Sequence, residues 1–150
     1  MAREHFTFRH ALRVRWAEVD KQGIVYNANY FLYFDVAITE YWRAIGINYP
    51  DGIVKAFGTD LYTVKATAEY HRSAEYDEIL DIYGRTARLG HSSMQFLLEI
   101  WRGEEHLASG ELIYVNADPA TKKSSPLPEP LREKIIGYER VPPESAQAKS

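Results

Sequence analysis

The chain has 150 residues, the usual size of one domain, and its 45% hydrophobic and 26% charged residues are the balance of an ordinary globular protein. The formal net charge is -3 and no run of Lys or Arg stands out, so a nucleic-acid-binding protein is disfavoured. The absence of cysteine excludes disulfides, thiolate metal sites and a cysteine nucleophile.

The sequence also argues against a membrane protein. No apolar run approaches the ~20 residues that a bilayer-spanning helix needs. The N-terminus shows no apolar h-region, so no signal peptide is predicted. We therefore predict a cytoplasmic protein with no membrane insertion and no nucleic-acid partner.

A strand and a long helix are predicted first along the chain. Apolar and polar residues alternate over residues 6–16, which is typical of a half-buried strand with Phe6, Phe8, Leu12, Val14 and Trp16 on one face. After a polar turn, residues 30–45 contain no Gly or Pro and carry one polar stripe, which predicts a helix that Gly46 ends. Because most of the helix surface is apolar, burial on more than one side is expected.

Four further strands are predicted after a loop over residues 48–58. Alternation resumes over 61–70 and continues in three runs, over 78–87, 92–102 and 107–116. The short gaps between these three runs indicate antiparallel hairpins. A short helix is predicted over 131–138, and residues 141–150 are expected to form a flexible tail.

This order of elements predicts one α+β domain over residues 1–140. A curved, antiparallel five-stranded sheet wrapped around one long central helix is the simplest way to bury that helix. Such a sheet leaves its edge strands unpaired and part of the helix exposed. We therefore expect the chain to associate into a homodimer or a homotetramer, the latter as a dimer of dimers.

The turn that precedes the helix carries the main candidate for chemistry, Asp20. An Asp followed three residues later by Gly, here Gly23, is a common signature of a structural turn. A catalytic role requires the carboxylate to lie near a helix N-terminus, where free N–H groups can hold an oxyanion. The position of Asp20 permits this, with Asn27 and Asn29 as candidate capping residues of the helix. An Asp there could attack a thioester or deprotonate a water molecule.

Other catalytic patterns are absent from the sequence. The five histidines, at 5, 10, 71, 91 and 106, lack the spacing of metal ligands. No G-x-S-x-G motif of serine hydrolases and no glycine-rich nucleotide motif occurs. We predict neither a metal site nor a cofactor.

Residues 15–30 resemble the signature of the 4-hydroxybenzoyl-CoA thioesterase family of hotdog-fold proteins. The shared pattern is an Asp, two variable residues, a Gly, two apolar residues, an aromatic residue and an Asn-Tyr pair that opens the central helix. Residues 76–80 and the turn at 90–93 extend the likeness over most of the chain. The resemblance implies a hotdog fold and hydrolysis, without a metal, of a small or medium acyl-CoA, aromatic acyl groups included.

The resemblance also implies roles for individual residues. Asp20 matches the family's nucleophile or general base, and the backbone amide of Asn27 matches the donor that polarises the thioester carbonyl. Substrate contacts are implied at Gly23, Tyr26, Tyr30, Asp35, Arg88, Ser92 and Ser93. Asp35 either faces the acyl pocket or is solvated on the polar stripe, and Arg88, Ser92 and Ser93 either bind the CoA phosphates or belong to an ordinary surface.

A second class of function stays open at this point. A fold hosts many functions, so the chain could be a non-catalytic hotdog domain that binds an acyl group or another small ligand. The sequence also does not separate CoA from acyl-carrier protein as the thiol carrier, since both present the same pantetheine arm.

Overall fold

The structure, a computed structural model, describes residues 3–145. Its strands are β1 (Phe8–Arg13), β2 (Asp60–Tyr70), β3 (Ile79–Leu89), β4 (Ser93–Arg102), β5 (Glu105–Ala117) and the two-residue β6 (Glu144–Ser145). Its α-helices are α1 (Asn29–Ala44), α2 (Val54–Phe57) and α3 (Glu129–Tyr138), and short 3-10 turns cover Arg3–His5 and Trp16–Glu18. The predicted α+β class is confirmed, and no helix within residues 3–145 is long and apolar enough to cross a bilayer.

The sheet has the strand order β1-β3-β4-β5-β2, and every neighbouring pair along this path is antiparallel. Strand β1 pairs with β3 only as far as Gly84. Beyond that point β6 pairs with β3 in parallel, with Glu144 opposite Arg88. The expected five strands are therefore present, and β6 adds a short sixth. Of the tail predicted to be flexible, Glu144 and Ser145 lie in this pairing, and residues 146–150 lie outside the described residues.

Helix α1 packs against one face of the sheet and forms the core with it. Its buried residues are Tyr30, Tyr33, Phe34, Ala37, Ile38, Tyr41 and Trp42. They meet the inward-facing residues of the central strands, among which Leu80, Ile82, Phe96 and Ile100 are fully buried. Gly46, with a φ of 86°, ends α1 in the left-handed conformation that glycine adopts without strain, as predicted.

A glycine allows α1 to approach the sheet closely. A Cβ atom added at Gly110 in β5 would lie 2.4 Å from Cζ of Phe34, a helix residue with no exposed surface. The Phe34 ring thus occupies the space that any other residue at position 110 would fill. This contact fixes the height of the helix above the sheet.

The C-terminal helix is attached to the core through a buried carboxylate. Oε2 of Glu139 accepts hydrogen bonds from the Tyr41 hydroxyl at 2.6 Å and from the Thr86 N–H at 2.9 Å. Oε1 is buried and has no hydrogen-bond partner within residues 3–145. Burial raises the pKa of Glu139 in spite of the two donors. This network holds the end of α3 against both α1 and β3.

Three local expectations were wrong. The first strand ends at Arg13, and Trp16 is 70% exposed because the chain turns into a 3-10 segment there. The loop expected over residues 48–58 contains α2. Asn29 does not cap α1: its side chain donates to the Glu18 carbonyl at 2.8 Å instead, and among the described residues no side chain caps this helix.

Both edges of the main sheet path are open within residues 3–145. Among the described strands, β2 pairs with β5 alone, and its Val64 is 60% exposed. On α1, Phe31 and Leu32 are 36% and 42% exposed, so the expected burial of a second helix side is not met within one chain. These surfaces are where an association of copies would bury apolar area.

Gly110→Ala should destabilise the domain because the new methyl group requires the Phe34 ring to move within a packed core. We expect the free energy of unfolding to fall by about 1–3 kcal/mol, measured by urea denaturation. Gly137→Ala is the matched control, since a Cβ at this exposed position of α3 meets nothing within 4 Å. It should be neutral or stabilising by up to about 1 kcal/mol. Equal stability of G110A and the wild type would contradict the proposed contact.

Candidate active site

A cavity of about 350 Å³ lies where three chain segments meet. One wall is the turn that carries Asp20, and a second is the start of α1. The third is the end of β2 with the residues that follow it. From the last two walls the cavity is lined by Tyr26, Asn27, Tyr30, Tyr70, Arg72 and Ser73.

Asp20 opens a tight turn, as the sequence predicts. The Gly23 N–H donates to the Asp20 carbonyl at 3.0 Å, and Gly23 has a φ of 78°, in the region that favours glycine. The Gln22 N–H donates to Oδ1 of Asp20 at 2.8 Å. Oδ2 has no hydrogen-bond partner within residues 3–145, and the side chain is exposed. The turn therefore orients the carboxylate through one oxygen and leaves the other available to the cavity.

The turn is fixed to the segment that precedes β3. The Val25 N–H donates to the Ala74 carbonyl at 2.9 Å, and the Tyr76 N–H donates to the Gly23 carbonyl at 3.0 Å. The Ala74 N–H in turn donates to the hydroxyl of Tyr30 on α1 at 3.0 Å. Three walls of the cavity are thus linked by hydrogen bonds, two between backbone groups and one to the Tyr30 hydroxyl.

Glu18, a residue that the sequence placed in a polar turn, is buried beneath this site. Its Oε1 accepts the Arg15 N–H at 2.8 Å and the hydroxyl of Tyr33 on α1 at 3.0 Å. Its Oε2 accepts the Arg15 Nε–H at 2.6 Å. The Glu18 carbonyl accepts the Tyr26 N–H at 3.0 Å and the Asn29 side-chain amide at 2.8 Å. The side chain and the carbonyl of Glu18 therefore both connect the segment before Asp20 to the first turns of α1.

Glu18 is a carboxylate in this network. Burial alone would raise the pKa of Glu18, but the hydrogen bonds from Arg15 and Tyr33 outweigh it and hold the pKa below the ordinary value. Burial and the adjoining Glu18 carboxylate raise the pKa of Tyr33 far above its usual range. The pair is therefore an ionised carboxylate and a neutral phenol at neutral pH, each satisfying the other.

The start of α1 leaves two backbone donors free. The Asn29, Tyr30 and Phe31 N–H groups each donate three residues back, at 2.8, 3.2 and 3.2 Å. The N–H groups of Asn27 and Ala28 have no acceptor within residues 3–145. A helix of 16 residues concentrates positive potential at this end, so free amides here favour an anionic ligand atom.

Asp35 lies apart from the Asp20 cavity. It is exposed and borders a second cavity of about 170 Å³ between α1 and the beginning of β2, together with Thr39 and Tyr114. Burial, with the Asp35 charge adding to it, raises the pKa of Tyr114 to about 12. Both earlier interpretations of Asp35 remain compatible with this position, because the side chain is solvated and also faces a cavity.

Arg88, Ser92 and Ser93 lie at the far end of the sheet from Asp20. The Asp20 turn contacts the chain just before β3 begins, through a bridge between Ile24 and Glu75. Arg88 is near the other end of β3, about 30 Å along the strand from its first residue, Ile79, at ~3.3 Å per residue. A single chain therefore does not bring these three residues to the same site as Asp20, and their role in phosphate binding stays a prediction.

The structure adds residues to the site that the sequence did not single out. Besides Glu18 and Tyr33, these are Tyr70, Arg72 and Ser73, which line the cavity at the end of β2. Their sequence signal was weak because Tyr70 fits the strand alternation, and Arg72 and Ser73 resemble residues of an ordinary loop. Within residues 3–145 no group of three or more His, Asp or Glu side chains could hold a metal ion.

Comparison with known proteins decides the family. A sequence model of the thioesterase superfamily matches residues 22–109, more than half of the chain. The chain belongs to the thioesterase superfamily. The match begins just after Asp20, so it identifies the superfamily without bearing on the role of that residue. The predicted thioester hydrolase is confirmed at this level.

Individual relatives agree with this assignment to the thioesterase superfamily. The acyl-CoA thioester hydrolase YbgC of Escherichia coli O6:H1 (strain CFT073) is 28% identical over 125 residues, which are 83% of this chain and 92% of the relative. A thioesterase of Thermus thermophilus, solved with coenzyme A and Zn, matches with a TM-score of 0.78 at 27% identity, covering 93% of this chain and 98% of that one.

A more distant thioesterase shares the fold. The 1,4-dihydroxy-2-naphthoyl-CoA thioesterase Slr0204 of Synechocystis has a TM-score of 0.78 at 20% identity, covering 85% of this chain and 94% of that one. At this identity the likeness concerns the fold alone. With the antiparallel sheet around one long helix, it confirms the predicted hotdog fold.

Glu18→Gln should destabilise the thioesterase domain by about 1–3 kcal/mol at pH 7, because charge-assisted hydrogen bonds to a buried carboxylate are lost. The folded pKa of Glu18 lies below its ordinary value of 4.5. Its stabilising contribution is therefore present above that value and is lost as the pH falls through the folded pKa. The difference between wild type and variant, measured by urea unfolding, should shrink below about pH 4.5.

Glu40→Gln serves as the matched control for the Glu18 experiment. Glu40 pairs with Arg43 at 2.5 Å on the surface of α1, and such exposed pairs contribute about 0–1 kcal/mol. A gap between wild type and E18Q that stays constant from pH 7 down to pH 3 would show that Glu18 does not titrate as described.

Proposed function

We propose that the chain is an acyl-CoA thioesterase that hydrolyses a small or medium acyl-CoA to the free acid and CoA. The observation that carries the proposal is that Asp20 and the free amide end of α1 line the same cavity in a member of the thioesterase superfamily. The acyl-CoA class is supported by the name of the E. coli relative and by the CoA bound to the T. thermophilus relative.

In the proposed reaction the start of α1 binds the carbonyl oxygen, and the other walls of the cavity contact the rest of the substrate or supply Asp20. The thioester carbonyl oxygen gains negative charge as the carbon is attacked, and the Asn27 N–H at the start of α1 donates to it. Loss of one such donor typically costs ~10²–10³ in rate. The cavity admits substrate contacts from Gly23, Tyr26 and Tyr30, which lie in or beside its walls.

Asp20 acts by one of two routes that give the same products. As a general base, it accepts a proton from water while the water oxygen bonds to the carbonyl carbon, and the C–S bond then breaks to release the thiolate. As a nucleophile, its carboxylate oxygen bonds to that carbon and displaces the thiolate, and water hydrolyses the resulting anhydride. In both routes one water is consumed. In the general-base route the proton that Asp20 accepted can pass to the thiolate, and in the nucleophilic route the thiolate takes its proton from solvent.

Asp20→Asn should lose ~10²–10⁴ in kcat for acyl-CoA hydrolysis, measured by thiol release, because the amide neither takes up the proton nor attacks the carbonyl. The amide oxygen can still accept the Gln22 N–H, so the turn and the melting temperature should be preserved. Asp51→Asn is the matched control, since Asp51 lies in an exposed loop and its side chain pairs with Lys55, at 3.8 Å, away from the cavity. Near-wild-type turnover by D20N would remove Asp20 from the mechanism.

A non-catalytic ligand-binding domain is the alternative function. One observation favours it: the hydrogen bonds of Asp20 within its own turn suffice to explain the residue. Ligand-induced thermal shifts, measured beside thiol release over a panel of acyl-CoAs, separate the two functions. Thermal shifts without hydrolysis over the whole panel would establish the alternative.

We further propose that the thioesterase assembles into a homodimer or a homotetramer. The edge of β2 that meets no strand in the described part of the chain and the exposed Phe31 and Leu32 on α1 support this. Light scattering after size-exclusion chromatography should give at least twice the mass of 17.3 kDa. A single species at the monomer mass, at micromolar concentration, would refute it. The cytoplasmic location stays a prediction.

A further inference from the structure

Tyr70 makes a contact with the start of α1 that the chemistry above does not use. It is the last residue of β2 and lies on the strand face that looks toward the helix, opposite buried Ala108. Its ring meets the Tyr30 ring edge-on, with 5.1 Å between centroids. Its hydroxyl donates to the Asn27 carbonyl at 3.0 Å, across 43 residues of sequence.

The acceptor of this hydrogen bond belongs to a peptide group whose other end is free. The Asn27 carbonyl and the Ala28 N–H are parts of one planar amide. The carbonyl accepts from Tyr70 and, at 3.2 Å, from the Tyr30 N–H, whereas the Ala28 N–H has no acceptor within residues 3–145. Hydrogen bonds to the carbonyl polarise the amide, so its N–H becomes a stronger donor.

The preceding peptide group has a similar arrangement but without a side-chain donor. The Tyr26 carbonyl accepts the Asn29 N–H at 2.8 Å, and the N–H of the same amide, that of Asn27, has no acceptor among the described residues. Two consecutive free N–H groups therefore lie at the start of α1, and the second belongs to an amide that Tyr70 holds in place.

We propose that Tyr70 is a positioning residue for the hydrolysis. Its hydroxyl orients and polarises the amide between Asn27 and Ala28, so that the Ala28 N–H joins the Asn27 N–H in holding the thioester oxyanion. The inference rests on the proposed thioesterase function. It adds a second backbone donor to the site and gives a reason for a tyrosine, rather than a phenylalanine, at the end of β2.

A purely structural role for the hydroxyl is a weak alternative. Tyr70 is 47% exposed, so water can satisfy the Asn27 carbonyl once the hydroxyl is removed, but mobile water does not hold the amide in one orientation. The edge-on packing on Tyr30 needs only the ring. Removing the hydroxyl should therefore change the amide donor more than it changes the stability of the fold.

Tyr70→Phe tests the proposal directly. We expect kcat to fall about 5–10-fold, with KM within about twofold of wild type, because the donor acts on the transition state more strongly than on the bound thioester. Tyr62→Phe is the matched control. Tyr62 is on the same strand at its other end, and its hydroxyl accepts from Lys122 at 3.5 Å, away from the cavity. Y62F should have wild-type kcat and KM.

A spectroscopic measurement separates polarisation from general damage. The probe is an acyl-CoA analogue with a methylene in place of the thioester sulfur and a ¹³C-labelled carbonyl, which binds without being hydrolysed. Donors to the carbonyl oxygen move its ¹³C resonance downfield on binding. The shift should be smaller in Y70F than in the wild type and in Y62F, with melting temperatures of the three proteins within about 2 °C.

The outcomes distinguish this inference from the proposed function. A Y70F variant with wild-type kcat and a wild-type carbonyl shift overturns the role of Tyr70, as does a change confined to KM. Equal losses in Y70F and Y62F also overturn it, since they report a general effect on β2. The proposed function depends on D20N and on thiol release by the wild type, and it stands or falls separately.

Discussion

The buried carboxylate of Glu18 is the interaction on which the candidate site depends. A turn between a strand and a helix has many accessible conformations, and ordering one residue of backbone costs about 1–2 kcal/mol. Glu18 restrains this segment through its side chain and through its backbone. The side chain binds Arg15 and Tyr33, and the carbonyl binds Tyr26 and Asn29. Asp20 comes two residues later, so the conformation of its turn follows from that of Glu18.

The same carboxylate links the site to the core. Tyr33 is 1% exposed and belongs to the helix face that packs on the sheet, where Gly110 allows close approach of the neighbouring Phe34. A change in the height of α1 would therefore move the Tyr33 hydroxyl, and with it Glu18 and the Asp20 turn. The geometry of the cavity is set by core packing as much as by the residues that line it.

Sequence alone predicted the fold well because its signals were local and strong. Alternation over the strands, the long helix without Gly or Pro, and Gly46 at its end each reflect a geometric need of one element. The sequence could not show that Trp16 lies outside β1, since period-two alternation continues through the 3-10 turn that exposes it. Nor could it show Glu18 as buried, because its partner Tyr33 is 15 residues away and becomes a neighbour only through the fold.

The candidate site was predictable in part for the same reason. Asp20 and Asn27 are close in sequence, so one motif contains both, whereas Tyr70 reaches Asn27 only through the pairing of β2 with β5. Arg88, Ser92 and Ser93 could be chosen from charge and resemblance, but the register of β3 places them at the opposite end of the sheet. A motif thus locates residues that act from one segment and misses those that are assembled from several.

The wrong expectation about helix capping has a physical explanation. A side chain of Asn, Asp, Ser or Thr at the N-cap satisfies one of the free N–H groups of the first turn. Here Ala28 occupies the N-cap, and the Asn29 side chain is held by the Glu18 carbonyl. The first turn, Asn29 to Leu32, also contains no acidic residue that would neutralise the positive end of the helix. A capped α1 would be more stable in isolation, since a side-chain cap at position 28 would accept from the N–H of Tyr30 or Phe31, which here donate three residues back at 3.2 Å. Packing of α1 on the sheet and the hydrogen bonds through Glu18 stabilise the helix without a side-chain cap, and the N–H groups of Asn27 and Ala28, just before the helix, have no acceptor within residues 3–145.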